Sequence, residues 1–251
     1  MRGNAPERLR VVASLVVKAE LEEVGLAKWI WERLAAGCGI LFVALFIVAY
    51  VIPGKPPTMS AGNAKWVHYA LSNSREIKVG SILLGLALIT FVWFAGSLAA
   101  RLRDAGEPRL AAIAFGGAVA TAAVFAIAIA VQAAVAYRIA SERPTLVKSF
   151  VELGTVALTI IRFPVAMTIG ATAIATLRTG VFPKWYAPLN GLAALVVLVG
   201  AGALSQKGFY SPDGGYTTIS LIFFLAWTLV TSGWLAFRVG TERAPRATPA
   251  T

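Results

Sequence analysis

One cation stands in a run of residues that otherwise reads as lipid-facing. Between Gly154 and Thr176 the chain is long enough to cross a bilayer, yet it holds Arg162 and, two residues on, Pro164. A guanidinium in hydrocarbon costs at least roughly 2.5–3.5 kcal/mol, so such a residue faces protein, water or a ligand. Pro164 has no N–H to give and its ring presses on the preceding turn, so the carbonyl of Ile160 loses its helical partner and a bend is expected there. On a helical wheel Glu152, Thr155, Thr159, Arg162, Ala166 and Gly170 fall within roughly 80° of one another, a polar face that leads from one membrane surface to mid-depth. Glu152 cannot neutralise Arg162, because ten residues separate the two by roughly 15 Å along the axis.

The chain has 12 acidic residues, and the other eleven lie outside the apolar blocks. A partner for Arg162 must then be neutral or come from outside the chain. Neutral candidates are carbonyls freed near Pro164, the hydroxyls of Thr90, Thr228 or Thr231, the rings of Trp93 or Trp227, and water. External ones are a lipid headgroup, an anionic substrate or another subunit's carboxylate. Arg162, Glu152, Thr155, Thr159 and Pro164 are the candidate ligand- or partner-binding residues. The plainer reading is that Arg162 snorkels along its own helix and pins the bend.

Catalytic chemistry has little to work with. His68 is the only histidine and Cys38 the only cysteine, which excludes a His/Cys zinc site, a bis-histidine haem and an intrachain disulfide. No aspartate pair falls at depth, and no glycine-rich phosphate loop appears. The expectation is a protein that is not an enzyme and carries no cofactor and no metal.

The elements that must position Arg162 follow from composition. Apolar residues make up 58% of 251 positions and mean hydropathy is +0.74, far above a soluble domain. The formal charge of +11 is spread between apolar blocks, where lipid headgroups rather than nucleic acid are the simpler partner. The blocks predict an all-α, six-span transmembrane helical bundle, with spans near residues 36–52, 79–100, 110–137, 151–176, 185–204 and 217–237. The loop 53–78 has room for a helical turn or two over 64–71, with Trp66 and Tyr69 on the bilayer. Residues 1–34 read as an amphipathic N-terminal segment, cytoplasmic or interfacial, with Trp29 and Trp31 at the boundary. Residues 35–238 form the membrane domain, and 239–251 a polar, proline-containing cytoplasmic tail expected to be disordered.

Six spans put both termini on one side. That side carries fourteen basic residues and the opposite loops eight, so the termini are expected to be cytoplasmic in a multi-pass protein of the plasma membrane. In the third span Ala114, Ala118, Ala122, Ala126, Ala130 and Ala134 recur every four residues, a packing signal where lipid gives helices no hydrophobic reason to associate.

The turns Leu102-Arg-Asp-Ala-Gly-Glu-Pro-Arg109 and Leu177-Arg-Thr-Gly-Val-Phe-Pro-Lys184 share a layout, compatible with duplicated hairpins or with convergence on one good turn. Around them, Phe94-Ala-Gly-Ser-Leu-Ala-Ala-Arg-Leu-Arg103 and the stretch from Phe163 to Trp185 resemble uncharacterised multi-span membrane proteins of actinobacteria, of the domain-of-unknown-function type. The resemblance covers spans two to six and implies a helical membrane domain, but no activity. The favoured function is a non-catalytic integral membrane subunit or scaffold, packing against membrane lipids and either a protein partner or a second copy. The alternative is a binder or transporter of a lipid or amphipathic anion along the polar face of the fourth span.

Overall fold

In the computed structural model, residues 34–35, 37–202, 205 and 208–241 are described. The expected N-terminal segment lies outside these residues up to 33, and the expected polar tail from 242 on; its first three positions, 239–241, continue the last helix instead of being irregular. Among the described residues every element is helical. We label the helices α1 (Gly37–Val51), α2 (Asn63–Ser72), α3 (Ser74–Asp104), α4 (Pro108–Ala134), α5 (Val147–Ile160), α6 (Arg162–Thr179), α7 (Tyr186–Gly200) and α8 (Gly215–Thr241).

Four helical rods are long and apolar enough to cross a membrane: Ser74–Asp104, Pro108–Glu142, Pro144–Thr179 and Gly215–Phe237. They mark a membrane protein. α1 and α7 are apolar but shorter. The 15 residues of α7 make about 22 Å, less than the roughly 30 Å of a hydrocarbon core.

All four rods exceed the spans read from sequence. α4 continues through a π-helical turn, Val135–Ile139, to Glu142, and its 35 residues reach about 52 Å. The end of α4 and the start of α5 therefore project past the bundle, and α2 packs on the projection. Trp66 and Ala70 of α2 are buried with Val135, Ala140 and Val147 in a second apolar cluster. Trp66, expected on the bilayer, is inside this cluster instead. Tyr69 is half-buried, and its hydroxyl donates to the Pro53 carbonyl at 3.1 Å.

The same end is tied by Asp213, whose carboxylate accepts from the Met59 N–H at 3.0 Å and from the Ser211 hydroxyl at 2.8 Å. Partial burial pushes this carboxyl up, but hydrogen bonds from Met59, Ser211 and its own backbone outweigh that and hold it below the usual aspartate value of 3.8. A depressed folded-state value stabilises at neutral pH and is lost as pH falls through it. The Met59–Asp213 contact is therefore expected to hold down to about pH 4 and fail only below it. The Met59 amide shift in an NMR titration should move in that acid range, and Asp213→Asn should remove the titration.

The main core runs the length of the bundle. Phe42 of α1 meets Phe91 of α3 and Phe224 of α8, and Phe94 lies edge-on to Trp227. Small residues set the closest approaches. A Cβ on Gly39 would stand 2.7 Å from the Ser232 Cβ, and one on Gly117 of α4 would stand 2.5 Å from the Thr168 hydroxyl and 2.8 Å from the Pro164 carbonyl oxygen of α6. Thr168 also donates to Ala114 across this crossing at 3.2 Å.

The alanine ladder serves two faces rather than one. Ala114 and Ala118 are buried, Ala122 half-buried, and Ala126 and Ala130 exposed. Each four-residue step overshoots a 3.6-residue turn by about 40°, so the ladder winds off the seam. The buried seam is Ala111, Ala114, Gly117, Ala118, Thr121 and Ala128.

The two similar turns meet at the other end, where the Arg178 guanidinium pairs with Glu107 at 3.0 Å. Gly106 ends α3 with φ +92°, its N–H bonded to Arg103 O and that of Glu107 to Leu102 O. This double closure needs a left-handed residue, which glycine supplies without strain. Matching positions are not equivalent, however: Leu102 is fully buried and Leu177 is 71% exposed. The shared layout thus places its two leucines in opposite surroundings.

Candidate functional site

The helix carrying Arg162 is interrupted at Ile161, between α5 and α6. Proline explains the break. With no N–H at Pro164 the Ile160 carbonyl has no partner one turn ahead, while Val165 still reaches Ile161 at 3.2 Å. The Pro164 carbonyl in turn accepts from the Thr168 hydroxyl at 3.0 Å. A new helix thus begins at Arg162, the first residue of α6.

Arg162 is 7% exposed. Its Nη1 donates to the Gly200 carbonyl at 2.6 Å. Gly200 is the last residue of α7, and a helix end leaves its final carbonyls without intrahelical partners and carries roughly half a negative charge. Here the N–H groups of Ala201 and Gly202 close back onto Leu198 and Val199 at 3.0 and 3.1 Å, and Arg162 takes the Gly200 oxygen. A helix terminus thus does part of the work of a counter-ion. Measured from Thr179, Arg162 stands about 26 Å along α6, level with the end of α7.

The surroundings are tight. A Cβ on Gly200 would stand 2.6 Å from the Ser220 hydroxyl, 3.0 Å from the Arg162 Cδ and 3.2 Å from its Nε. Tyr216, one turn before Ser220 on α8, donates to the Val196 carbonyl at 2.9 Å. Three helices therefore converge on the carbonyl end of α7. The Ser220 hydroxyl is buried and has no hydrogen-bond partner among the described residues.

The other residues singled out by sequence divide. Thr159 is buried and donates to Thr155 at 3.0 Å. Thr155 donates to Val151 at 2.8 Å, with the Met59 sulfur 3.7 Å away. Glu152 stays at the surface, one turn from Lys148, with the ammonium at 3.8 Å. The polar face therefore runs from solvent into packed protein, and Glu152 is not brought to Arg162. Among the proposed neutral partners, Thr90, Thr228 and Thr231 donate within their own helices, and the Trp227 ring packs on Phe94 and Phe224.

Gly200, Tyr216 and Ser220 are missed by sequence reasoning. A backbone carbonyl belongs to every residue and gives no signal by type. The available hint is Gly200-Ala-Gly202 closing an apolar block, since glycine favours helix ends.

Comparison with protein-family models, with curated proteins and with solved structures found no match to this chain.

Proposed function

We propose that this protein is a non-catalytic, six-span subunit or scaffold of the plasma membrane, with both termini cytoplasmic, that packs against a second copy of itself. α1 and α7 are then short spans across a locally thinned bilayer. The turns at 105–107 and 180–185 face the cytoplasm, as the distribution of basic residues favours. With Thr179 at the inner boundary, Arg162 lies near the outer edge of a roughly 30 Å hydrocarbon layer, shallower than the mid-depth suggested by the helical wheel. The resemblance to uncharacterised actinobacterial membrane proteins is part of this reading and adds no activity to it.

The observation that carries the proposal is a second small-residue face on α4. Ala112, Gly116, Ala123, Ala126 and Ala130 are all exposed, and at 100° per residue they share one side of the helix, with Val119 the one larger side chain among them. A Cβ on Gly116 would meet nothing within 4 Å. Small side chains let helix backbones approach in lipid, where packing rather than hydrophobicity drives association. The inward face of α4 already meets α6 at Gly117, and the outward one is open for a helix from another chain.

Cysteine cross-linking tests this. In a Cys38→Ser background, Ala123→Cys should give a disulfide-linked dimer in native membranes, and Ile82→Cys, on the exposed side of α3, should not. Gly116→Ile should abolish the Ala123→Cys cross-link without unfolding the chain. A monomer in mild detergent together with no cross-link would refute the proposal.

The alternative, a carrier of an amphipathic anion along the face from Glu152 to Arg162, finds less support, since Arg162 is buried and engaged by Gly200.

A further inference from the structure

The end of the bundle that bears α2 also has a groove of about 580 Å³, formed between the segment after α1 and the outer side of α2. Its polar lining residues sort into two sets. Tyr69 and Asn73 are committed, the hydroxyl to the Pro53 carbonyl and the amide to the Tyr69 carbonyl. The side chains of Lys55, Lys65, His68 and Ser72 have no hydrogen bond or ion pair among the described residues. No carboxylate lines the groove. The nearby Asp213 is held by Met59 and Ser211, Glu152 lies beside Lys148, and Glu76, in the first turn of α3, is not among the lining residues. The uncommitted groups are therefore two ammonium ions and two hydrogen-bond donors, set against apolar walls from Pro56, Pro57 and Ala64.

We propose that this groove binds a phosphate-type anion at the membrane boundary, with Lys55 and Lys65 supplying charge and His68 and Ser72 supplying hydrogen bonds. Lysine binds phosphate as a compact point charge and does not need the fixed fork of arginine. The groove is open to solvent, and Lys65, His68 and Ser72 follow at helical spacing along one side of α2. Tyr50, Val51 and Leu71, close in sequence to the lining residues, are exposed, which suits an anion attached to acyl chains. The site is separate from Arg162 and does not depend on self-association.

The test uses the full chain in nanodiscs of phosphatidylcholine, offered either phosphatidylglycerol or inorganic phosphate and read by native mass spectrometry. Lys55→Gln/Lys65→Gln is expected to weaken retention of the anion about thirtyfold, the effect of two lysines at the surface. Arg103→Gln/Arg109→Gln, at the opposite end, should leave this retention unchanged. Both lysines are exposed, and an unshifted melting temperature confirms that the variant is folded. Retention of phosphatidylglycerol alone supports a lipid headgroup, and displacement by inorganic phosphate supports a soluble source of the same chemistry. Equal retention by the lysine variant, or equal loss in the arginine variant, overturns the site.

Discussion

Gly117→Val is expected to destabilise the protein by about 3 kcal/mol, the upper part of the usual range for overpacking. The obstruction lies partly in backbone. A first carbon on Gly117 already meets the Thr168 hydroxyl at 2.5 Å and the Pro164 carbonyl oxygen at 2.8 Å, and valine adds two methyl groups beyond it. A rotamer change could move Thr168, but its hydroxyl holds the Ala114 and Pro164 carbonyls. The Pro164 carbonyl can retreat only if α6 moves away from α4. The control is Gly85→Ala in α3, where a Cβ meets nothing within 4 Å. There the substitution should stabilise by about 0.5–1 kcal/mol, since alanine outperforms glycine inside a helix. Thermal unfolding followed by the reactivity of Cys38, half-buried against the main core, reads both. Equal melting temperatures for the two variants would show that the α4–α6 contact is looser than described.

Arg162→Ala is expected to cost about 2–4 kcal/mol. A hydrogen bond to a charged group contributes roughly 1.5–3 kcal/mol, and truncation leaves both a void and an unpaired Gly200 oxygen. Relief of a desolvated charge offsets part of this. Arg162→Met separates the contributions, because it fills much of the volume but offers no donor. If the hydrogen bond to α7 dominates, methionine should recover less than half of the loss. Full recovery would assign the role of Arg162 to packing alone. Hydrogen exchange should also localise the effect, with protection falling first at Ala201 and Gly202, whose N–H groups close the end of α7.

These two sites show what could be read from residue order and what could not. The helical class and the apolar blocks were legible because a bilayer forces long uninterrupted runs of apolar residues. Their ends were not. Glu76 and Lys78 read as loop, yet both lie within α3, which starts at Ser74. A charged residue on a helix extending past the apolar layer looks the same in sequence as one in a loop. The break at Ile161 was legible from Pro164, since a missing N–H is a local property. The partner of Arg162 was not, because it is a main-chain oxygen 38 residues away. The alanine ladder was legible as small-residue packing, but its constant four-residue step concealed the rotation that divides it between an inward and an outward face.

The measurement that bears most directly on Arg162 as an internal clamp is a high-resolution electron-microscopy map of the protein in lipid, examined at the guanidinium. Density should join Nη1 to the Gly200 carbonyl, with Tyr216 and Ser220 packed beside it. A phosphate or a carboxylate from a lipid or another chain against the guanidinium, with the Gly200 oxygen released, would contradict the clamp.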